Sequence, residues 1–369
     1  MFISIGVRFL CNVEALNMVE SIGNLSKHRK APIVVPIGNG FKLLYVPAIS
    51  GESIGHAYQQ ALVDETLAFY GDNAPVDEWC KRGEFIKFGD RKHMTTPLLK
   101  IIDEVKSNMK EEEIAEAKHR VEKEAIISSI VADVGGFLIA EGAPVKRTSC
   151  FQVGYAIPVF DALDSTAIES QFHVRYMASE TVESKSQQQK EKKDTDKEGN
   201  GGEQPSKQEE RKGQAIYYVE IASAVYGLTF NINLDMIGRT SMVKVEEVVN
   251  DRFDRVKVAL AAASRLFTSK GFGAKRSRYL PVEDTLTIVA AVAAKRPFVV
   301  SPPQYPNFAE ETYTRAVAMN QMLQRFNASQ NISITGFSKE RPLPDGIQKA
   351  GSVEEVFIKL FDKVMSSKP

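Results

Sequence analysis

From Ser179 to Gln214 the chain holds a single aliphatic residue, Val182, in a run of Lys, Glu, Gln, Ser and Gly that mixes both signs of charge. Such a stretch cannot bury enough apolar surface to offset the entropy of ordering it. It is excluded from any core and predicts a disordered loop. Strand-like text leads up to it, with polar and apolar residues alternating through Gln171-Phe172-His173-Val174-Arg175-Tyr176. Strand-like text resumes from Ala215 to Ile232. Segment 179–214 therefore reads as an insertion between two strands of one folded unit, not as a linker between two domains. A chain of 369 residues with 43% hydrophobic content has material for one large core.

The flanking text is a mixture of periods. Residues 3–11 read as a buried strand. Ala31 to Val35 and Phe41 to Val46 read as a hairpin, joined by Pro36-Ile37-Gly38-Asn39-Gly40, where Asn-Gly supplies the positive φ of a tight turn. After Ser50, a plausible N-cap, Ile54, Ala57, Tyr58, Ala61 and Leu62 mark one face of a helix, and His56 and Gln60 fall on the other. Residues 70–129 read as a helical insertion. Its two clearest helices, over 97–129, are lined by Leu99, Ile102 and Val105 and by Ile114, Val121 and Ala125. Phe253, Val256, Leu260, Ala263 and Phe267 mark a further helix, ending at Lys270-Gly271. A strand over 285–293 follows, then helical stretches near 308–326 and 352–365. This α+β order predicts a ferredoxin-like core with large insertions across residues 1–369.

The totals exclude several classes. Lys and Arg number 47, as do Asp and Glu. A neutral chain does not coat nucleic acid with its whole surface, so any polyanion site must be local. Three scattered cysteines (Cys11, Cys80, Cys150) predict a reducing, cytoplasmic setting without a disulfide framework. No CxxC, HExxH, GxSxG, GxxxxGK or GxGxxG is present, so the sequence predicts no metal, no cofactor and no catalytic residue. The apolar run Leu286 to Ala294 is too short to cross a bilayer, and MFISIGVRFL lacks a basic n-region; no membrane partner is expected.

Local charge is uneven. Lys270, Lys275, Arg276 and Arg278 lie in nine residues without an acid, with Gly271, Gly273 and Ser277 among them and Phe272 and Tyr279 alongside. Cations for phosphates and rings for bases suit a single-stranded nucleic acid. The helix start Ser50-Gly51-Glu52-Ser53 offers free amides and hydroxyls to an anion, against the charge of Glu52. Lys27, His28, Arg29 and Lys30 form a consecutive basic run, and Lys146 and Arg147 a shorter one after Gly142-Ala143-Pro144. His173 sits beside Arg175 on one face of its strand.

These stretches carry a family resemblance. Leu16 to Leu25 with Lys27-His28-Arg29, VPAISGESIGHAYQ, VADVGGFLIAEGAPVKRTS, SQFHVRY and GFGAKRSRYLP, spread over residues 3–60, 130–176 and 214–292, resemble the CRISPR-associated DevR-type proteins. Those are the guide-RNA-binding backbone subunits of archaeal type I-A Cascade-like complexes. The resemblance implies a crescent-shaped subunit with an RRM-like palm. It implies copies stacked in a helical filament along one guide crRNA, in antiviral defence. The protein would grip phosphates, and base pairing with a target DNA strand would read sequence. It implies partners among copies of the chain and other Cascade subunits, and a thumb at 177–215. It also implies that Asn17, Asn24, Lys27, His28, Arg29, Ser50, Gly51, Ser53, His56, Lys146, Arg147, His173, Lys275, Arg276 and Arg278 line one RNA groove. The alternative is a metal-independent ribonuclease of the repeat-processing kind, with His28, His56 or His173 as acid or base.

Overall fold

The structure, a computed structural model, describes residues 1–106, 108–142, 144–176, 214–269, 273–328 and 331–367. The polar insertion 179–213 and the start of the basic loop, Lys270 to Phe272, lie outside the described residues. The chain opens with β1 (Phe2–Glu14), the short strands β2 (Met18–Ile22) and β3 (Leu25–His28), and the hairpin β4 (Lys30–Ile37) and β5 (Gly40–Pro47). A helical stretch follows, α1 (Gly51–Tyr70), α2 (Glu78–Lys81), α3 (Thr96–Asp103), α4 (Glu111–Ser128) and α5 (Ile130–Gly135). Next come β6 (Phe137–Ile139), β7 (Val145–Arg147), β8 (Phe151–Val153), β9 (Ile157–Pro158), β10 (Ala167–Tyr176) and β11 (Gln214–Asn233). The chain continues with α6 (Arg252–Thr268), β12 (Val282–Ala293), α7 (Phe308–Arg325), β13 (Ile332–Ser338), β14 (Gln348–Lys349) and α8 (Val353–Ser367). The result is a mixed α/β fold.

A ten-stranded sheet forms the spine. Its path runs β14-β13-β12-β1-β11-β3-β2, and β8, β9 and β10 also pair with β11. β1 is antiparallel to both β11 and β12, with Ile5 opposite Phe230 on one side and Ala290 on the other. β10 is antiparallel to β11, with His173 opposite Tyr217. Side-chain alternation decides the two faces. Ile3, Ile5, Val7, Phe9 and Cys11 of β1 join Tyr226, Leu228, Phe230 and Ile232 of β11 and Ile288, Ala290 and Val292 of β12 in the main core. Apolar residues of α1, α6 and α8 close that face, and the Tyr58 hydroxyl donates to the Ala259 carbonyl at 3.1 Å to tie α1 to α6. The interleaved residues Val289, Ala291 and Ala293 face the other way, against Phe298, Val300 and Phe308 at the start of α7.

On that second face Arg8 is buried. Its guanidinium donates to Asp161, to Glu340 and to the Pro303 carbonyl. This ion-pair node pins the C-terminal segment to the centre of the sheet. The hairpin β4–β5 stands apart, with Ile33, Val35 and Val46 turned inward. Its turn differs from the expectation: the positive φ falls on Gly38 (56°), not on Asn39 or Gly40. Ile37 pairs with Gly40, so Gly38 and Asn39 form a two-residue loop, and the first central position takes the left-handed angle that glycine adopts freely. The basic run Lys27 to Lys30 spans the end of β3 and the start of β4. β3 forms a small hairpin with β2 and pairs with β11.

Candidate nucleic-acid interface

The start of α1 is built by residues far apart in sequence. Ser50 caps the helix, its Oγ accepting from the Ser53 amide at 3.2 Å. The Ser50 amide donates to Asn17 Oδ1 at 2.7 Å, and the Asn17 carbonyl accepts from the Arg29 amide at 2.9 Å. Asn17 is thus a strut between the 15–17 turn, Arg29 at the junction of β3 and β4, and the cap of α1. Gly51 serves close approach: a Cβ there would meet the Val153 carbonyl oxygen at 2.6 Å.

The basic loop docks on the same turn. The Ala274 amide donates to the Leu16 carbonyl at 2.9 Å. Gly273 lies beside it at φ 98°, and a Cβ would come within 2.6 Å of Leu16 Cδ2. A glycine is required there twice over, for its angle and for the contact. Segments 16–64 and 265–274, far apart in the chain, thereby form one cleft of about 580 Å³, lined by Asn17, Ser53, His56, Gln60, Gly273, Ala57 and Leu266. His56 is exposed, its ring held edge-on by Phe85 with centroids 4.9 Å apart.

From Ala274 the loop runs to β10 and β11. Lys275 takes a positive φ of 53°, and its carbonyl accepts from the Arg278 and Tyr279 amides. Burial lowers the Lys275 pKa, and the charge of Arg278 lowers it further. Arg278 is exposed and donates to the Tyr217 hydroxyl at 2.5 Å. Tyr279 hydrogen-bonds His173, whose ring stacks on Tyr217 with centroids 5.1 Å apart. Desolvation raises the Tyr279 pKa, the neighbouring Tyr217 adds to it, and Arg278 opposes it. Asn24 meets the same strand, its carbonyl accepting from the Tyr218 amide at 2.7 Å. Arg276 is half-buried in the loop, and Lys27 half-buried in β3.

Three expected contacts are corrected. His28 points inward and its side chain is fully buried. Its Nε2 lies 2.6 Å from Glu14 Oε1, and its Nδ1 lies 2.8 Å from the Arg29 carbonyl. Strand alternation puts it there, between Lys27 and Arg29. Burial opposes the charged ring, but the Glu14 hydrogen bond and charge, the Arg29 carbonyl and Glu220 outweigh it, and the His28 pKa rises. Arg147 is also fully buried. It holds Asp133 at 2.6 Å and the carbonyls of Asp133, Met236 and Arg239, and Asp133 also binds Arg255. Its N–H groups are committed to the interior, so it cannot reach a strand outside. Lys146 is exposed on the same hairpin, but Val145, Phe137 and Ile139 pack it against α3 and α4 rather than against the cleft.

The structure therefore gathers Asn17, Ser50, Gly51, Ser53 and His56 around the loop 273–279, which leads on to His173, Asn24 and Arg278. Lys146 and Arg147 are not part of this group. Arg29 stands at its edge, with Nη1 3.4 Å from the Tyr155 hydroxyl. Gln60, Tyr155 and Tyr217 were not singled out as site residues from sequence. Gln60 could have been, since it shares the face of His56 one turn on; the tyrosines carry no local signal. Among the described residues, no helix is long and apolar enough to cross a membrane. None of their His, Cys, Asp and Glu side chains form a group of three or more that could hold a metal.

Comparison with known proteins agrees on one family. A family model described as CRISPR-associated negative auto-regulator DevR/Csa2 matches residues 5–313. The "CRISPR-associated aCascade subunit Cas7/Csa2 2" of Saccharolobus solfataricus is 35% identical over 369 residues, covering 98% of this chain and 100% of the relative. The "CRISPR-associated protein Cas7/Csa2 1" of the same organism is 36% identical over 304 residues, 82% of each chain. Among solved structures, a chain of a "CRISPR RNA-guided surveillance complex, pre-nicking" aligns with a TM-score of 0.47 at 14% identity, over 98% of this chain and 99% of that one. On the family model and the full-length relative, this chain belongs to the CRISPR-associated DevR/Csa2 family.

Proposed function

We propose that the chain is a non-catalytic backbone subunit of a CRISPR surveillance complex in antiviral defence. It binds a guide crRNA through its phosphates, stacks copy on copy with other Cascade subunits, and presents the guide to a target DNA strand. The relative named an aCascade subunit supports the assembly. The observation that carries RNA binding is the docking of loop 273–279 onto the Leu16–Asn17 turn at the start of α1. Among the described residues, Lys275 beside that junction and Arg278 at Tyr217 have no carboxylate hydrogen-bond partner, which leaves their charge for a ligand. The antiparallel order β12-β1-β11-β10, with α1 and α6 on one face, supports an RRM/ferredoxin-like palm carrying 70–129 as a helical insertion. Burial of His28 against Glu14 removes one of the three histidines a ribonuclease reading would use.

Binding to single-stranded RNA should weaken with salt, with a log–log slope of roughly −0.7 per phosphate contacted. Changing Lys275, Arg276 and Arg278 together to Ala should flatten that slope by about 2, since roughly 0.7 is lost per contact. The fold should survive. A triple variant with wild-type slope and affinity would sink the assignment of this loop.

A further inference from the structure

The cleft beside the basic loop differs from it in chemistry. Its wall along α1 carries Ser53, His56, Gln60 and Asp64 one turn apart, and Arg265 of α6 faces them. Arg265 Nη2 holds Asp64 Oδ2 at 2.9 Å, and Asp64 Oδ1 accepts from Gln60 Nε2 at 3.2 Å. Glu65 Oε1 also lies 3.5 Å from Arg265 Nη1, so two carboxylates share the one guanidinium and a phosphate gains nothing by entering beside Asp64. The relay instead fixes the carboxamide of Gln60. Ala57, Ala61, Leu16, Met18 and Leu266 complete an apolar bed. The volume of about 580 Å³ falls within the range of about 300–1,000 Å³ common to small-molecule sites. An apolar bed, a rim without a spare positive charge and oriented hydrogen-bonding groups suit a flat, uncharged heterocycle.

We propose that this cleft between α1 and α6 is a nucleobase subsite, taking one base of the strand whose phosphates the 273–279 loop holds. The ring lies on the Ala57–Leu266 bed, with its polar edge toward Ser53, His56 and Gln60. The proposal rests on the RNA-binding reading above, and adds that each subunit sorts the strand by chemistry. Phosphates go to Lys275 and Arg278 and a base to the cleft, whose one guanidinium is already committed.

The test uses the full chain and single-stranded RNAs carrying one 2-aminopurine, moved position by position. Binding should change the fluorescence strongly at one position of the bound register. Ala57→Leu fills the bed without touching a charge. It should abolish that signal and weaken binding about tenfold, the effect of one lost base contact, with the salt slope unchanged. Gln60→Ala trims the rim without crowding the helix, and should reduce the signal in a protein whose folding is not at issue. Wild-type signal and affinity in both variants would overturn the subsite while leaving RNA binding intact. Salt-independent binding, or none, in the unaltered chain would instead fell the underlying reading.

Discussion

Arg147 and Arg278 are the same side chain, each near a glycine-bearing basic stretch, and the fold uses them in opposite ways. Arg147 meets Asp133 at 2.6 Å, has Glu122 at 3.6 Å and donates to three backbone carbonyls. Arg278 meets one tyrosine hydroxyl and remains exposed. The difference lies in the supply of acids. Desolvating a guanidinium is tolerable only where carboxylates and carbonyls converge on it. Where none do, the cation stays at the surface, available to a ligand that brings its own negative charge. A run of basic residues in sequence does not distinguish these outcomes; the partners do.

The sharpest way to break the comparison is Arg147→Ala. It leaves Asp133 buried with one of its two arginines gone, and should destabilise the protein by about 3–5 kcal/mol. Lys146→Ala, on the exposed side of the same strand, should change stability by less than about 0.5 kcal/mol. Urea denaturation of both variants checks this. If Arg147→Ala is nearly neutral for folding yet weakens RNA binding, then Arg147 belongs with Arg278 after all.

Gly273→Ala probes how the surface cations are held. The residue sits at φ 98° against Leu16, so a methyl group strains the backbone and separates the loop from its dock. The expected effect is a loss of about 1–3 kcal/mol. RNA affinity should fall with it, although no charge has changed. A variant equal to wild type on both measures would mean that the loop binds without being pinned.

How much of this was legible follows from where the signals lie. The N-cap of α1 was readable because Ser50 stands just ahead of the apolar period Ile54, Ala57, Tyr58, Ala61 and Leu62. β1 and α6 were readable because their apolar residues keep the period of their faces. The hairpin of β2 and β3 was not: its strands span five and four residues, and the strand it leans on lies nearly two hundred residues on, at Tyr218 and Val219. Arg147 read as a surface cation because its partners come from three separate places, Glu122 in α4, Asp133 in α5 and the turn from Met236 to Arg239. His28 was misplaced for a related reason. In a run of four polar residues, period-two alternation has no apolar partner to show which side faces in.

His28 supplies the mildest test and the one closest to the interface. Its two ring nitrogens face a carboxylate and a carbonyl, groups that accept, so the geometry favours the doubly protonated ring. Glu14 is itself fixed by the Tyr226 hydroxyl at 2.7 Å and the Leu16 amide at 2.7 Å, and Glu220 accepts from the His28 amide at 2.9 Å. The folded pKa is therefore raised above the ordinary value of 6.5. The sign follows: the pair stabilises the fold fully below about pH 6.5 and is lost as pH rises through the folded pKa. Denaturant midpoints taken across that window should fall with pH in the wild type and fall less in His28→Gln. Equal slopes would show that the ring is neutral in the folded protein. His28 would then be a spacer beneath the Leu16 turn, and the contrast between committed and available cations would rest on the arginines and lysines alone.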